Sequence, residues 1–262
     1  MKPRLLPYLR TIVSYVPDPS LLRLRRLGDV GTFKRPHEHD FRCFGHLDPD
    51  GQLFLDVGAN RGQSIRSIRM VMGPIDIVAI EPNPILAESL STDTSLSEHA
   101  ELTVHNVALG AEHGGRLTLH VPRYGHTLYD TRASASEEQA RQFLNQESFA
   151  FFDTERSGIE TFDTPITTID NLGVSPSILK IDVEGADFGV LVGGRTTIAA
   201  NEPLTLIEEP SPESIEFMVE LGYRPYRYLD DRLQADDTGG LNTFFLLPRH
   251  EADFQAVGLS VR

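Results

Sequence analysis

The sequence predicts an α/β fold: a doubly wound, largely parallel sheet of seven strands that closes with a terminal antiparallel hairpin. Three observations predict it. Five short apolar runs alternate with segments of helical spacing, the pattern of a parallel sheet covered on both faces. Several of these runs end in glycines, prolines or charged residues, at the strand ends where such sheets bind ligands. The chain has 262 residues, 40% of them hydrophobic and 24% charged, enough for one large domain with a full core.

The elements follow in order. Residues 1–50 form an N-terminal extension of short helices and loops. Leu5, Leu6, Leu9, Ile12 and Val13, then Leu21, Leu22 and Leu24, keep helical spacing but are interrupted by prolines. The main domain spans 51–262. LFLDVGA (53–59) is a buried-strand run with glycines behind it. SIRSIRMVM (64–72) puts Ile65, Ile68 and Met72 on one face and is a helix. DIVAIEP (76–82) is a second strand, PILAESLS (84–91) a helix and LTVHNVAL (102–109) a third strand. An insertion at about 122–163 follows. SILKIDVEG (177–185) is the fourth strand, and FGVLVGGRTTIAA after it is helical. LTLIEEP (204–210) is the fifth, before PESIEFMVELG, a helix stopped by Gly222. Residues 223–229 pair with 242–248 as the closing hairpin, around DDTGG.

Composition narrows the function. No apolar run approaches the roughly 18 residues of a spanning helix. A single cysteine, Cys43, excludes an internal disulfide framework and a cysteine-rich zinc site. The proline-broken N-terminus has no continuous apolar leader segment, so the expected compartment is the cytoplasm. Net charge is −14, but residues 1–35 hold eight Lys/Arg against two Asp. The acidic body repels phosphate backbones, so nucleic acid is a poor partner. The basic N-terminus suits peripheral contact with an anionic membrane. Its RLRR at 23–26 also reads as a solvated helix face.

The strand ends carry the chemistry. Asp56-Val57-Gly58-Ala59-Asn60-Arg61-Gly62 lacks the Gly-Lys-Ser/Thr of a phosphate loop. It also has Asn60 where a dinucleotide fingerprint needs glycine for the pyrophosphate. S-adenosyl-L-methionine fits better. It carries no phosphate, and Asp56 suits its cationic amino-acid part, while Gly58 and Gly62 let the chain turn closely around it. Glu81 ends the second strand, 25 residues after Asp56, where a carboxylate can accept both ribose hydroxyls. Asn106 and Val107 end the third strand, beside the expected adenine. Alternation along the fourth strand puts Lys180, Asp182 and Glu184 on one side, where a reacting group would be presented. An internal Lys180–Asp182 or Lys180–Glu184 ion pair that stabilises the strand end is the structural reading of the same residues.

Together these residues resemble the FkbM family of S-adenosylmethionine-dependent methyltransferases. FLDVGANRGQS (54–64) is similar to its glycine loop, AIEPNP (79–84) to its acidic ribose motif and HNVALG (105–110) to its adenine segment. LKIDVEGAD (179–187) is similar to its most specific signature. TPITTIDNL (164–172) and LNTFFLLP also fit its order. Asp187 stands where the family usually has glutamate, and Arg61 where an apolar residue is common. The resemblance implies a class I, Rossmann-like methyltransferase fold and O-methylation of a hydroxyl on a sugar, glycolipid or secondary metabolite. The expected cofactor-binding residues are Asp56, Gly58, Asn60, Gly62, Glu81, Asn106, Val107 and Asp182.

Methylating an alcohol needs a base for its proton. Candidates are Asp182, Glu184 and His126, the last carried on the insertion. No dedicated metal site is expected. A weaker variant pairs Asp182 with Glu208 or Glu209 around Mg²⁺. The insertion is expected to shape the acceptor pocket with Tyr124, Tyr129, Phe143, Phe149, Phe151 and Phe152. The rival reading is a non-catalytic module that binds the same cofactor or a partner protein.

Overall fold

The computed structural model describes residues 5–15, 35–98, 100–238 and 240–261. Leu21, Leu22, Leu24 and the basic run at 23–26 lie outside the described residues. The chain opens with α1 (Leu5–Val13) and a 3-10 helix over His39–His46. Then come β1 (Leu53–Val57), α2 (Gln63–Met72), β2 (Asp76–Ile80), α3 (Pro84–Thr92), β3 (Leu102–His105) and β4 (Ala108–Leu109). The next stretch holds β5 (Arg116–Tyr124), β6 (Thr127–Leu128), α4 (Glu137–Gln142) and β7 (Ser157–Thr167). The remainder is β8 (Ile178–Ile181), α5 (Asp187–Val192), α6 (Arg195–Asn201), β9 (Leu204–Glu208), α7 (Pro212–Glu220), β10 (Arg224–Leu229), β11 (Arg232–Ala235), β12 (Asn242–Leu246), α8 (Pro248–Ala256) and β13 (Ser260–Val261).

The main sheet has the order β13-β11-β10-β12-β9-β8-β1-β2-β3. It has nine strands among the described residues where the sequence predicts seven, because β11 and β13 extend the C-terminal edge. The expected antiparallel pairing of 223–229 with 242–248 forms, as β10 with β12, but the two are not joined as a hairpin. The tight turn at Asp230 and Asp231, both left-handed at φ 51° and 56°, joins β10 to β11. β12 follows β11 in the chain and lies antiparallel between β10 and β9. Its five residues are all buried, so a central position gives it more apolar contact than an edge.

Alternation divides the core. Phe54, Ile77, Ile178 and Phe244 face a layer with Phe41, Phe44, Ile65, Ile68 and Phe254. Leu55, Val57, Leu179, Ile181 and Phe245 face Val190, Ile198, Phe217 and Met218 of α5–α7. The predicted helix over 188–200 is two, α5 and α6, parted at Gly193-Gly194. A Cβ on Gly193 would stand 2.1 Å from the Gly110 carbonyl oxygen.

The insertion is larger and more ordered than the sequence reading made it. β5 and β7 pair antiparallel over nine residues, from Arg116–Pro165 to Tyr124–Ser157. With β4 and β6 they form a second sheet. Tyr124, Tyr129 and Phe149 are buried in a small core of their own with Phe143, Leu144 and Phe152. Most of the aromatic supply expected for the acceptor therefore holds the insertion together, and Phe151 is 86% exposed. No helix among the described residues is long and apolar enough to cross a membrane.

Candidate functional site

β1, β2 and β8 lie side by side and parallel, so their C-terminal ends form one floor. The loop after β1 turns through left-handed residues at Gly58 (φ 86°), Asn60 (φ 48°) and Gly62 (φ 75°). Gly58 is dictated by contact: a Cβ there would lie 1.9 Å from the Asp182 carbonyl oxygen. Asparagine tolerates the left-handed region better than most residues, which admits Asn60.

A cavity of about 350 Å³ opens above this floor, within the size range of small-molecule sites. Gly58, Asn60, Glu81, Val107, Asp182 and Glu184 line it. Its apolar wall comes from Ile80, Leu86, Leu109, Leu117, Leu119 and Ile166. Asp130, Thr131, Ser134 and Gln139 of the insertion roof it. Glu81 is 5% exposed. Its oxygens accept backbone N–H groups from Asn60 (2.7 Å) and Asn83 (2.8 Å), leaving each oxygen a second lone pair for a ligand hydroxyl. Burial pushes its carboxyl up to about 7 against those two hydrogen bonds. The Asn60 side-chain oxygen is buried without a partner, an acceptor that a ligand donor can satisfy.

Four expected site residues do not line this cavity. Asp56 points to the α2 face of the sheet, where Ser64 Oγ donates to Oδ2 and Oδ1 has no partner. Burial raises its pKa. Gly62 faces away, since its Cβ direction meets Leu90 and Leu96. Asn106 spends its amide N–H groups on the carbonyls of Glu81 (2.9 Å) and Pro82 (3.0 Å), bracing the floor. His126 is exposed on the β5–β6 turn, and its backbone N–H donates to Ser14 O.

The fourth-strand charges separate. β8 stops at Ile181, so alternation does not carry through to Glu184. Lys180 is 1% exposed and donates to Asp182 Oδ2 at 2.7 Å. Burial opposes its ammonium, but the carboxylates of Asp56 and Asp182 outweigh that and hold its pKa above the ordinary value. Beside them Glu208 is pushed up to about 7, by burial first and then by its hydrogen bond to Asp182. Among the described residues no three His, Cys, Asp or Glu side chains gather as metal ligands do, and Glu209 is exposed on the far side of the Glu208 turn. Glu184 sits exposed in the turn after β8, on the cavity wall.

Sequence reasoning missed the residues that fasten the roof. Arg61 Nη2 donates to Asp130 Oδ1 at 2.7 Å, and Asn83 Nδ2 to the Asp130 carbonyl at 3.0 Å. Thr164 Oγ1 donates to Pro82 O at 2.6 Å. The one signal was Arg61, a charge where the resemblance expects an apolar side chain. Asp187, at the start of α5, accepts from the N–H and hydroxyl of Ser211. It anchors α7 and does not line the cavity.

The family model for the methyltransferase FkbM domain matches residues 56–234. No curated protein matches the chain. Among solved structures, the chain is similar to a methyltransferase FkbM from Methylobacillus flagellatus KT at 19% identity, covering 75% of this chain and 44% of that one, with a TM-score of 0.47. It therefore spans less than half the length of that protein. It is also similar to a precorrin-6y C5,15-methyltransferase from Geobacter metallireducens GS-15, at 12% identity, 81% and 89% coverage and a TM-score of 0.36. A TehB-like SAM-dependent methyltransferase from Corynebacterium glutamicum ATCC 13032 Kitasato matches at 12% identity, 87% and 95% coverage and a TM-score of 0.37.

Proposed function

The chain belongs to the FkbM methyltransferase family, and from that premise we propose that it is an S-adenosylmethionine-dependent O-methyltransferase acting on a hydroxyl of a sugar, glycolipid or secondary metabolite. One observation carries this reading: the strand-end cavity that gathers Gly58, Asn60, Glu81, Val107 and Asp182. The residues fit the cofactor. The partnerless Asn60 oxygen suits its ammonium group, the spare lone pairs of Glu81 suit its ribose diol, and Val107 with Leu109 and Ile166 offers an apolar bed for a base.

When bound, S-adenosylmethionine supplies a methyl group activated by the sulfonium. The chain's own residues do the rest. Lys180 neutralises and orients Asp182. Glu184 stands on the cavity wall with no hydrogen bond to another side chain among the described residues, so it is free to take the acceptor hydroxyl's proton. It displaces Asp182, which is committed to Lys180 and Glu208, as the first choice of base. His126, on the outer turn, is not part of this mechanism. Calorimetry should show binding of S-adenosylmethionine and none of NAD. Glu184→Gln should keep that affinity and lower turnover with labelled cofactor by about 100-fold. Binding of NAD alone sinks the reading, and full turnover in the variant removes Glu184 from it.

The same proposal includes peripheral membrane contact. α1 docks on the insertion by its small polar face, where Thr11 Oγ1 donates to Ala150 O at 2.8 Å. Its apolar side is turned out: Leu5 is 70%, Leu9 55% and Ile12 62% exposed. With eight basic residues in the first 35, this face suits an anionic bilayer. Co-sedimentation with vesicles containing phosphatidylserine should fall sharply for Leu9→Asp with Ile12→Asp, and equal sedimentation would dismiss the contact.

A further inference from the structure

The apolar face of the main sheet that carries Phe54, Ile178, Leu206 and Phe244 turns polar at one rim. Alternation puts Asp56 of β1, Lys180 of β8, Glu208 of β9 and Asn242 of β12 on that face, and Glu208 lies directly opposite Asn242. Asp182 joins them through its bond from Lys180 and a hydrogen bond shared with Glu208. The start of the 3-10 helix over His39–His46 adds Glu38 and Asp40. Asn242 Nδ2 donates to Glu38 Oε2 at 2.9 Å and to Asp40 Oδ2 at 3.0 Å.

We propose that this rim is an amine subsite: it takes the protonated amine of an amino sugar, held by Glu208, Glu38 and Asn242 Oδ1, while a hydroxyl of the same sugar reaches the cofactor cavity that Asp182 also lines. The proposal rests on the methyl-transfer reading and narrows its acceptor. The rim is short of cations. Asp182 has Lys180 at 2.7 Å and Glu38 has His37 at 3.4 Å, but Asp40, Asp56 and Glu208 make no ion pair among the described residues. Burial, Asp182 and Glu38 together make a negative Glu208 costly, and Lys180 offsets only part of that. A bound cation removes the cost. The rim is also short of donors. Asn242 is 2% exposed, and its side-chain oxygen is buried without a partner. Glu38, Asp40 and, across the strand pair, Glu208 are all acceptors, so none of them as a carboxylate can satisfy it. An orphaned buried acceptor is costly, and an ammonium brings three donors together with the missing charge. A divalent metal fits less well, because no three His, Cys, Asp or Glu side chains among the described residues gather as metal ligands do. Asp182 belongs to both sites, so an amine on the rim brings the rest of its sugar to the edge of the cofactor cavity.

The test titrates the full chain with glucosamine, N-acetylglucosamine and glucose, by calorimetry at low salt and neutral pH, with and without S-adenosylmethionine. N-acetylglucosamine keeps the nitrogen and loses its charge. The expected result is at least about tenfold tighter binding of glucosamine than of either neutral sugar. Glu208→Gln should abolish the preference, and Glu38→Gln should reduce it, with the melting temperature retained. A glutamine at 38 still offers Asn242 a carbonyl oxygen, so the fold contact survives the loss of charge. Each variant changes one charge in a chain of net charge −14, so a lost preference reports on this rim and not on the general attraction of an acidic protein for amines. Equal binding of the three sugars, no binding of any, a preference that outlasts both substitutions, or displacement of glucosamine by equimolar Mg²⁺ overturns the proposal. Sugar binding is read without any methyl transfer. Glucosamine selectivity without S-adenosylmethionine binding would therefore sink the cofactor reading alone, and cofactor binding without selectivity would sink this proposal alone.

Discussion

The floor and the roof of the cavity are built by different means. The floor is made where β1, β2 and β8 end, by backbone: left-handed turns at Gly58 and Asn60, and two N–H groups closing on Glu81. The roof is made from side chains of a separate small sheet with its own aromatic core around Tyr124 and Phe149. They meet through Arg61, Asn83 and Thr164, which reach Asp130 and Pro82. A backbone-built floor tolerates little substitution, whereas a side-chain roof hung on a few polar contacts can change without disturbing the sheet. This division suits a constant cofactor beneath a variable acceptor.

The comparison breaks most visibly at Gly58. Gly58→Ala forces a Cβ into the Asp182 carbonyl and holds a left-handed φ, so it should cost roughly 4 kcal/mol of stability. Denaturant unfolding checks this. A loss below about 1 kcal/mol would mean that the floor is as adaptable as the roof.

Glu81 tests the floor's electrostatics. Its carboxyl titrates at about 7, raised from 4.5, so the folded chain holds a proton that the unfolded chain has released between those values. The stability it contributes is complete below pH 4.5 and is lost as pH rises through 7, about 3 kcal/mol in all. Glu208, also raised to about 7, acts in the same direction. Without cofactor, the wild type should therefore lose stability from pH 5 to pH 8. Glu81→Gln should lose much less over the same range. Parallel curves for the two proteins would exclude Glu81 as the source.

The smallest expected effect is at the fastening. The Arg61–Asp130 pair is half-buried, with both side chains 19% exposed. Arg61→Ala should cost about 1 kcal/mol and raise amide exchange in residues 116–135 while β1 and β2 keep their protection. Faster exchange in the floor as well would show the two regions to be one cooperative unit.

Much of this floor is legible along the chain. The runs 53–57, 76–80, 102–105, 178–181 and 204–208 announce themselves because buried parallel strands are continuously apolar. The roof was less so. Leu117, Leu119 and Val121 do alternate with Thr118 and His120, but this strand signal is weaker than the continuous apolar runs of the floor. The inward or outward aim of a side chain was harder still. Asp56 and Val57 are neighbours, but the pleat sends one toward Ser64 and the other into the cavity.

What the sequence by itself determined is the alternating fold, the glycine turn after β1, Glu81 at the end of β2 and the charged end of β8. These depend on chain-local rules: period, turn conformation and the side chain at a strand's last residue. The tertiary structure alone decided that β12 also pairs with β9, that Lys180 takes Asp182 and not Glu184 as its partner, and that the insertion's aromatic residues fill their own core. It alone brought Arg10 and Arg132 to one ring, across 122 positions of chain. Such meetings depend on which surfaces bury the most apolar area together and which charges then find partners, and that is settled only when distant segments pack.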